Sequence, residues 1–318
     1  MKPWWFPAVA ALAAALASPL AAQDTPKRPL RFMIGFAPGG SADLVSRLLG
    51  QKLAERLGQP VIAEQKMGAS GLLANDVVAK APPDGQTLVL LTGGHPVAAV
   101  MMKERPYDPV RDFAMVSVVT GYPMVISVVP DSPVKSFADL IARAKIDRIT
   151  FATSGPGSLH DLVGELINVE AGIGMVSVPF KGAALGIVDL LGGRVDVMIE
   201  TATFSFPQIR AGKLRALAQS YPGRYPLMPE VPAIAETLPG VEASSWLGLA
   251  TSPGTPRPIV ERLNREVRAI VELPEMRARL AELGGVPSPS TPEEMRERIE
   301  REIARWRRVV ELKKIERQ

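Results

Sequence analysis

The sequence predicts an α/β protein of two lobes, each built on a mainly parallel sheet. Three observations carry that reading. Strand-like and helical runs alternate along the chain, glycine- and hydroxyl-rich turns follow the strand ends, and a second series of strand, helix and turn begins near residue 125. A single large doubly wound sheet is the alternative.

Residues 1–22 read as a secretory leader, with Lys2 at the charged start, an apolar core from Val9 to Leu20, and small Ala21 and Ala22 before polar Gln23-Asp24. The core is too short to span a bilayer. Cleavage near Ala22 and a periplasmic location are expected. Beyond the leader, Leu30–Ile34 is a strand and Ser41–Leu57 a helix closed by Gly58 and Pro60. Residues 60–63 form a strand, 72–79 a helix and 87–91 a third strand. Residues 114–129 read as two apolar strands broken at Gly121-Tyr122-Pro123. Helices over 136–144, 159–171 and 184–191 then alternate with strands over 149–152, 176–179 and 195–199. A proline-rich stretch (Pro222, Pro226, Pro229, Pro232, Pro239) leads to a returning strand at 246–250 and helices over 258–271, 275–283 and 292–314. The expected division is residues 23–124 with 221–318 as a discontinuous first lobe, 125–220 as the second, and a ligand cleft between them.

The 318 residues contain no cysteine, which excludes disulfides, thiolate metal sites and a cysteine nucleophile. A formal charge of +4 is too mild to argue for nucleic acid. Only Trp246 and Trp306 lie beyond the leader, so aromatic plates for stacking sugars are scarce.

Four loops carry candidate chemistry. Phe36-Ala37-Pro38-Gly39-Gly40-Ser41-Ala42-Asp43 joins a strand to a helix, and such a turn aims backbone N–H groups and the positive end of a helix at one point, where an anion sits well. It lacks the lysine of the nucleotide phosphate loop and the three-glycine dinucleotide spacing. Thr92-Gly93-Gly94-His95, Thr153-Ser154-Gly155-Pro156-Gly157-Ser158 and Glu200-Thr201 also follow strand ends. Together they outline a cleft of neutral donors suited to a small carboxylate.

The chain resembles the periplasmic substrate-binding receptors of tripartite tricarboxylate transporters, the Bug or TctC-like proteins. The resemblance runs over the whole mature chain, through Phe-Ala-Pro-Gly-Gly-Ser-x-Asp (36–43), Pro-Asp-Gly-x-Thr-Leu (83–88), Pro-Tyr-Asp-Pro-Val-x-Asp-Phe (106–113), Val-Pro-Phe-Lys-Gly (178–182), Asp-Leu-Leu-Gly-Gly (189–193) and Pro-Glu-Val-Pro (229–232). It implies a two-lobe periplasmic-binding-protein (Venus-flytrap) fold, no catalysis, no metal or cofactor, and delivery of a mono- or dicarboxylate to membrane permease subunits, by a monomer. It implies ligand contacts from Phe36, Ala37, Gly39, Gly40, Ser41 and Asp43; from Gly93, Gly94 and His95; from Thr153, Ser154 and Ser158; and from Glu200 and Thr201. The amides of Gly39, Gly40 and Ser41 would grip the acid, with Gly40 expected to need a backbone conformation open only to glycine.

The chain departs from the family pattern in places. Asp161 stands where histidine is common, with His160 one position early, and Glu200 stands where aspartate is common. Glu200 is expected either to face the cleft, favouring a donor or cation at the ligand's far end, or to pair with Lys181 or Arg194. Asp43 is read as orienting its loop, and His95 and His160 as either ligand contacts or loop ties. Two rival functions keep the same scaffold. One is a ligand sensor serving a membrane kinase. The other is an exported hydrolase using Ser158 and His160, against which stands the lack of a Gly-x-Ser-x-Gly elbow.

Overall fold

The computed structural model describes residues 28–68, 71–155, 158–180, 182–312 and 314–317. The expected leader and Lys181 lie outside them. Strand β1 (Leu30–Ile34) pairs in parallel with β2 (Val61–Gln65) and β3 (Thr87–Thr92). Helices α1 (Ser41–Leu57) and α2 (Leu72–Ala79) make the connections. A second parallel set is β5 (Thr150–Thr153) flanked by β6 (Val176–Pro179) and β7 (Val197–Thr201), linked by α5 (Leu159–Ala171) and α6 (Ala183–Leu191).

Between the sets runs β4 (Ala114–Val128). Its first part pairs antiparallel with β9 (Ser244–Thr251), and Met124–Ser127 pair antiparallel with β7. Strand β8 (Arg215–Gln219) and the short β10 (Val286–Pro287) also add to β4. The sheets are thus parallel in their outer strands and antiparallel around β4, because strands returning from the other half enter from the opposite direction. The expected break at Gly121-Tyr122-Pro123 is instead continuous strand. Those residues oppose Trp246, Ser245 and Ser244, and register shifts just upstream supply the extra twist that a strand shared by two sheets needs.

Strand β3 shows why these runs are apolar without alternation. Leu88 and Leu90 join one core cluster with α1 and α8 (Arg257–Val271), while Val89 and Leu91 join another with α2 and Trp246. Successive side chains point to opposite faces, and both faces are covered. A third cluster packs α4 (Phe137–Ala144) and α5 against β4, β5 and β7, and Trp306 and Val310 of α10 (Pro292–Leu312) join it. Helix α9 (Pro274–Glu282) closes the first cluster through Met276 and Leu280.

Two helices were not expected. Helix α3 (Gly94–Met101) begins inside the Thr92–His95 loop, and Pro96 sits in its first turn, where a missing N–H costs nothing. Helix α7 (Ala202–Arg210) follows β7 directly and carries Pro207 in its interior.

The seating of α5 on β5 depends on Gly164, whose added Cβ would lie 2.2 Å from the Phe151 ring. Gly164→Ala gains about 1 kcal/mol of helix propensity, but overpacking a filled core costs about 1–3 kcal/mol, and the short contact puts this site at the high end. Net destabilisation is expected in urea unfolding, relieved when Phe151→Leu is added. A stabilised single variant would show that α5 is not held by this contact.

Candidate functional site

Five helices begin at one cavity, which encloses about 710 Å³ of non-atom space including its open side. Ser41 and Ala42 open α1, Gly94 opens α3, Ser158 and Leu159 open α5, Ala183 opens α6, and Thr201 caps α7; all line the cavity. The first-turn N–H groups of a helix have no intrahelical acceptor, and each such end carries partial positive charge. Among the described lining residues there is no lysine or arginine. The donors the described lining offers are backbone N–H groups, helix ends and hydroxyls.

The 36–43 loop is fixed by Asp43. Its buried carboxylate accepts the Gly39 N–H at 3.0 Å and Arg47 Nε at 2.9 Å. Gly39 therefore spends its N–H inside the loop, and neither Gly39 nor Asp43 lines the cavity. Asp43 orients the loop, as expected. The demand for glycine falls on Gly39, with φ +81°, and not on Gly40, whose φ of −79° suits any residue. Phe36, Ala37, Gly40 and Ser41 do line the cavity, together with Pro38.

Thr92 and Gly94 line the cavity, whereas Gly93 turns its N–H to Trp246 O. His95 lies away from it, 4% exposed, with Nε2 2.8 Å from Pro109 O and its ring stacked on Tyr107 and edge-on to Phe113. Asn75 bridges His95 Nδ1 and the Tyr107 hydroxyl. His95, in the first turn of α3, thus packs into the core rather than the cleft. In the second half of the sheet, Ser154, Ser158, Glu200 and Thr201 line the cavity, while Thr153 faces Ser177 and Gly155.

Sequence reasoning missed Tyr122, Ser245 and Phe204, and left His160 open; all four line the cavity. Tyr122 and Ser245 are cross-strand partners on β4 and β9. Burial pushes the Tyr122 hydroxyl above its usual range although it hydrogen-bonds Ser245 and Ser41. The signal was the tyrosine within Gly121-Tyr122-Pro123, hidden by reading that tripeptide as a break.

Glu200 does not pair with Arg194. Arg194 binds Asp189, Lys181 lies outside the described residues, and the partner of Glu200 is His160, with Nε2 2.8 Å from Oε1. Thr201 N–H donates to the same oxygen at 2.7 Å. Burial opposes ionisation of Glu200, yet the His160 and Thr201 contacts hold its carboxyl below the usual carboxylate range. Ser158 Oγ caps α5 by accepting the Asp161 N–H, and Asp161 itself accepts from Ser177 Oγ at 2.7 Å. Ser158 and His160 are therefore each committed to other partners.

Residues 45–315 match the model of the tripartite tricarboxylate transporter family receptor. The chain is 35% identical to BugT of Bordetella pertussis over 264 residues, which is 81% of each protein. Among solved structures it resembles Rpa4515 of R. palustris with adipate (TM-score 0.88, 35% identity, covering 93% of this chain and all of that one). It also resembles MatC of Rhodopseudomonas palustris with bound malate (TM-score 0.84, 32% identity, covering 90% of this chain and all of that one). The fold is that of the periplasmic binding proteins. The chain belongs to the tripartite tricarboxylate transporter receptor family. No helix among the described residues is long and apolar enough to cross a membrane.

The buried His95 yields a pH prediction. Burial pushes its imidazole down to about 4. A group that titrates lower folded than unfolded contributes stability above its unfolded value near 6.5, and that stability is lost as pH falls toward 4, about 3 kcal/mol in all. Chemical unfolding should show a falling free energy from pH 7 to pH 5, and His95→Gln a shallower fall. Equal slopes would assign the titration to another group.

Proposed function

We propose that this chain is a periplasmic receptor that captures a small organic carboxylate in the cavity and delivers it to the membrane permease subunits of a tripartite tricarboxylate-type transporter. The observation that carries the reading is the convergence of five helix N-termini on a cavity whose described lining has no cationic side chain. That arrangement favours an anion small enough to be wrapped by amides and hydroxyls, and its described lining offers no lysine or arginine to trap a polyphosphate. The adipate and malate held by the two structural relatives fit that chemistry.

In this reading the carboxylate meets the amides of Ser41 and Ala42 at the start of α1, with the hydroxyls of Tyr122 and Ser245 beside it, while the Gly40 N–H is given to Ala37 O. Ser154, Ser158 and Thr201 face it from across the cleft. Residues 23–124 with 221–318 form one lobe and 125–220 the other, and closure of the two over the acid presents it to the permease. The leader is removed near Ala22 and the receptor acts as a monomer. It performs no chemistry on its ligand: the serine and histidine that a hydrolase would use are spent on a helix cap and on Glu200.

Thermal-shift screening and calorimetry of the mature protein against an organic-acid panel should find ligands that stabilise it. An acid at about 100 times its Kd adds about 2.7 kcal/mol. Tyr122→Phe should weaken that binding by about tenfold while leaving the fold intact, since one hydrogen bond to a charged group contributes about 1.5–3 kcal/mol, partly replaced by Ser245. Chromatography of the recovered acid should show it unchanged. A panel in which sugars or amines, but no acid, stabilise the protein would overturn the reading.

A further inference from the structure

The segment that joins β5 to α5 is tied twice to one aspartate that stands behind the cavity wall. Ser154 and Ser158 line the cavity from this segment, whereas Asp161, 6% exposed, is not part of the lining. The backbone N–H of Asp161 donates to Ser158 Oγ at 3.2 Å. Its carboxylate accepts from Ser177 Oγ at 2.7 Å, Ser177 Oγ lies 3.1 Å from Thr153 Oγ1, and Thr153 Oγ1 accepts the Gly155 N–H at 3.1 Å. We propose that Asp161 is a positioning residue for ligand binding, holding Ser154 and Ser158 at the cavity through a one-way chain of hydrogen bonds that runs from Gly155 N–H through Thr153 and Ser177 to its carboxylate. This rests on the carboxylate reading above and adds a residue that acts on the ligand without touching it.

The direction of the chain follows from its two ends. A backbone N–H only donates, and an ionised carboxylate only accepts. Ser177 gives its one hydroxyl proton to Asp161 and so accepts from Thr153. Thr153 gives its own proton to Ser177 and accepts from Gly155. Burial pushes the Asp161 carboxyl up, while the Ser177 hydroxyl and the neighbouring His160 pull it back toward the ionised form. Each hydroxyl then has one donor and one acceptor partner, and bonds in series that end on a charged acceptor strengthen one another. The same chain accounts for Thr153, whose hydroxyl proton is used inside the wall.

What the chain fixes is the backbone on either side of the lining serines. Gly155 takes φ +98°, a left-handed conformation, directly after Ser154, and its N–H is held by the residue directly before Ser154. Ser158 is held by its N–H on Gly155 O at 3.2 Å and by its Oγ on the Asp161 N–H. A change at position 161 therefore reaches two cavity-lining residues. The parallel pairing of β5 with β6 does not depend on the hydroxyls, because it is made by backbone groups, with Phe180 N–H donating to Thr153 O at 2.8 Å just beyond it. Trimming the chain thus loosens the wall of the cleft and leaves the sheet behind it paired.

The test is calorimetry with linear mono- and dicarboxylates of four to eight carbons, joined to amide hydrogen exchange of the ligand-free protein. Thr153→Val, Ser177→Ala and Asp161→Ala each cut the chain at a different link. Each should weaken binding of the tightest acid by about tenfold and speed exchange at the Gly155 amide, with β7 protected as before and unfolding curves confirming the fold. Thr153→Val combined with Asp161→Ala should lose no more than about tenfold, against the roughly hundredfold loss of independent sites, because both cut one chain. Asp161→Asn keeps an acceptor and drops only the charge, so it should recover all but about twofold of the loss. Additive losses, a folded Thr153→Val that binds as tightly as the unaltered protein, or an Asp161→Asn as weak as Asp161→Ala would overturn the proposal and leave the carboxylate reading standing. Binding of no acid by the unaltered protein would remove that reading and this inference with it.

Discussion

Strand β4 is the constraint on which the rest of the molecule depends. It opposes β9 through Pro123 and β7 from Met124 onward, so a single backbone is the seam of both sheets. That handover places Tyr122, the penultimate β9 partner, within a few residues of Thr201 and Glu200, which oppose Met124 and Val125. The cavity forms where strand order changes hand, the position at which the loops of open α/β sheets diverge and leave a crevice. With the strand ends aimed there, the helices that follow β1, β3, β5, β6 and β7 must start there too. The gathering of helix N-termini at the site is thus a consequence of topology rather than of any one side chain.

This explains how the protein attracts an anion while keeping fixed cations out of the described lining. Helix ends and amides are preorganised, so they supply a moderate field without the entropy cost of ordering long side chains. A lysine or arginine in the same cleft would bind a carboxylate more tightly, but a receptor that must release its cargo gains from a weaker hold. The carboxylates near the cleft are handled by pairing. Asp43 is absorbed by Gly39 and Arg47 and shapes the turn, and Glu200 is absorbed by His160 and Thr201.

Much of this was legible in the chain, and the residues that were not share a cause. The strand–turn–helix units at 30–57 and 149–171 could be read because glycine and hydroxyl residues punctuate runs of clear periodicity. The anion loop was legible for the same reason. Tyr122 and Ser245 were not, because cross-strand partnership between residues more than a hundred positions apart leaves no local trace. The direction of His95 was hidden because the loop carrying it turns into a helix at Gly94. That turns the imidazole toward Tyr107 and Phe113 instead of the cleft. Gly39 and Gly40 look alike in sequence, and only the backbone dihedrals separate the residue that requires glycine from its neighbour.

The two departures from the family pattern in the second half of the sheet meet each other in space. Successive helical residues are about 100° apart around the axis, so a histidine at 160 and one at 161 face different neighbours. In this chain position 161 is turned to Ser177 and carries an aspartate that accepts its hydroxyl, while position 160 is turned to β7. There Glu200, one methylene longer than aspartate, reaches the ring at 2.8 Å. Neither change is sensible alone: a buried glutamate without the histidine would be an uncompensated charge beside the ligand, and the histidine without the glutamate would have no anchor for its tautomer. Taken as a pair they rebuild this wall of the cavity around one shared hydrogen bond, opposite the amide loop.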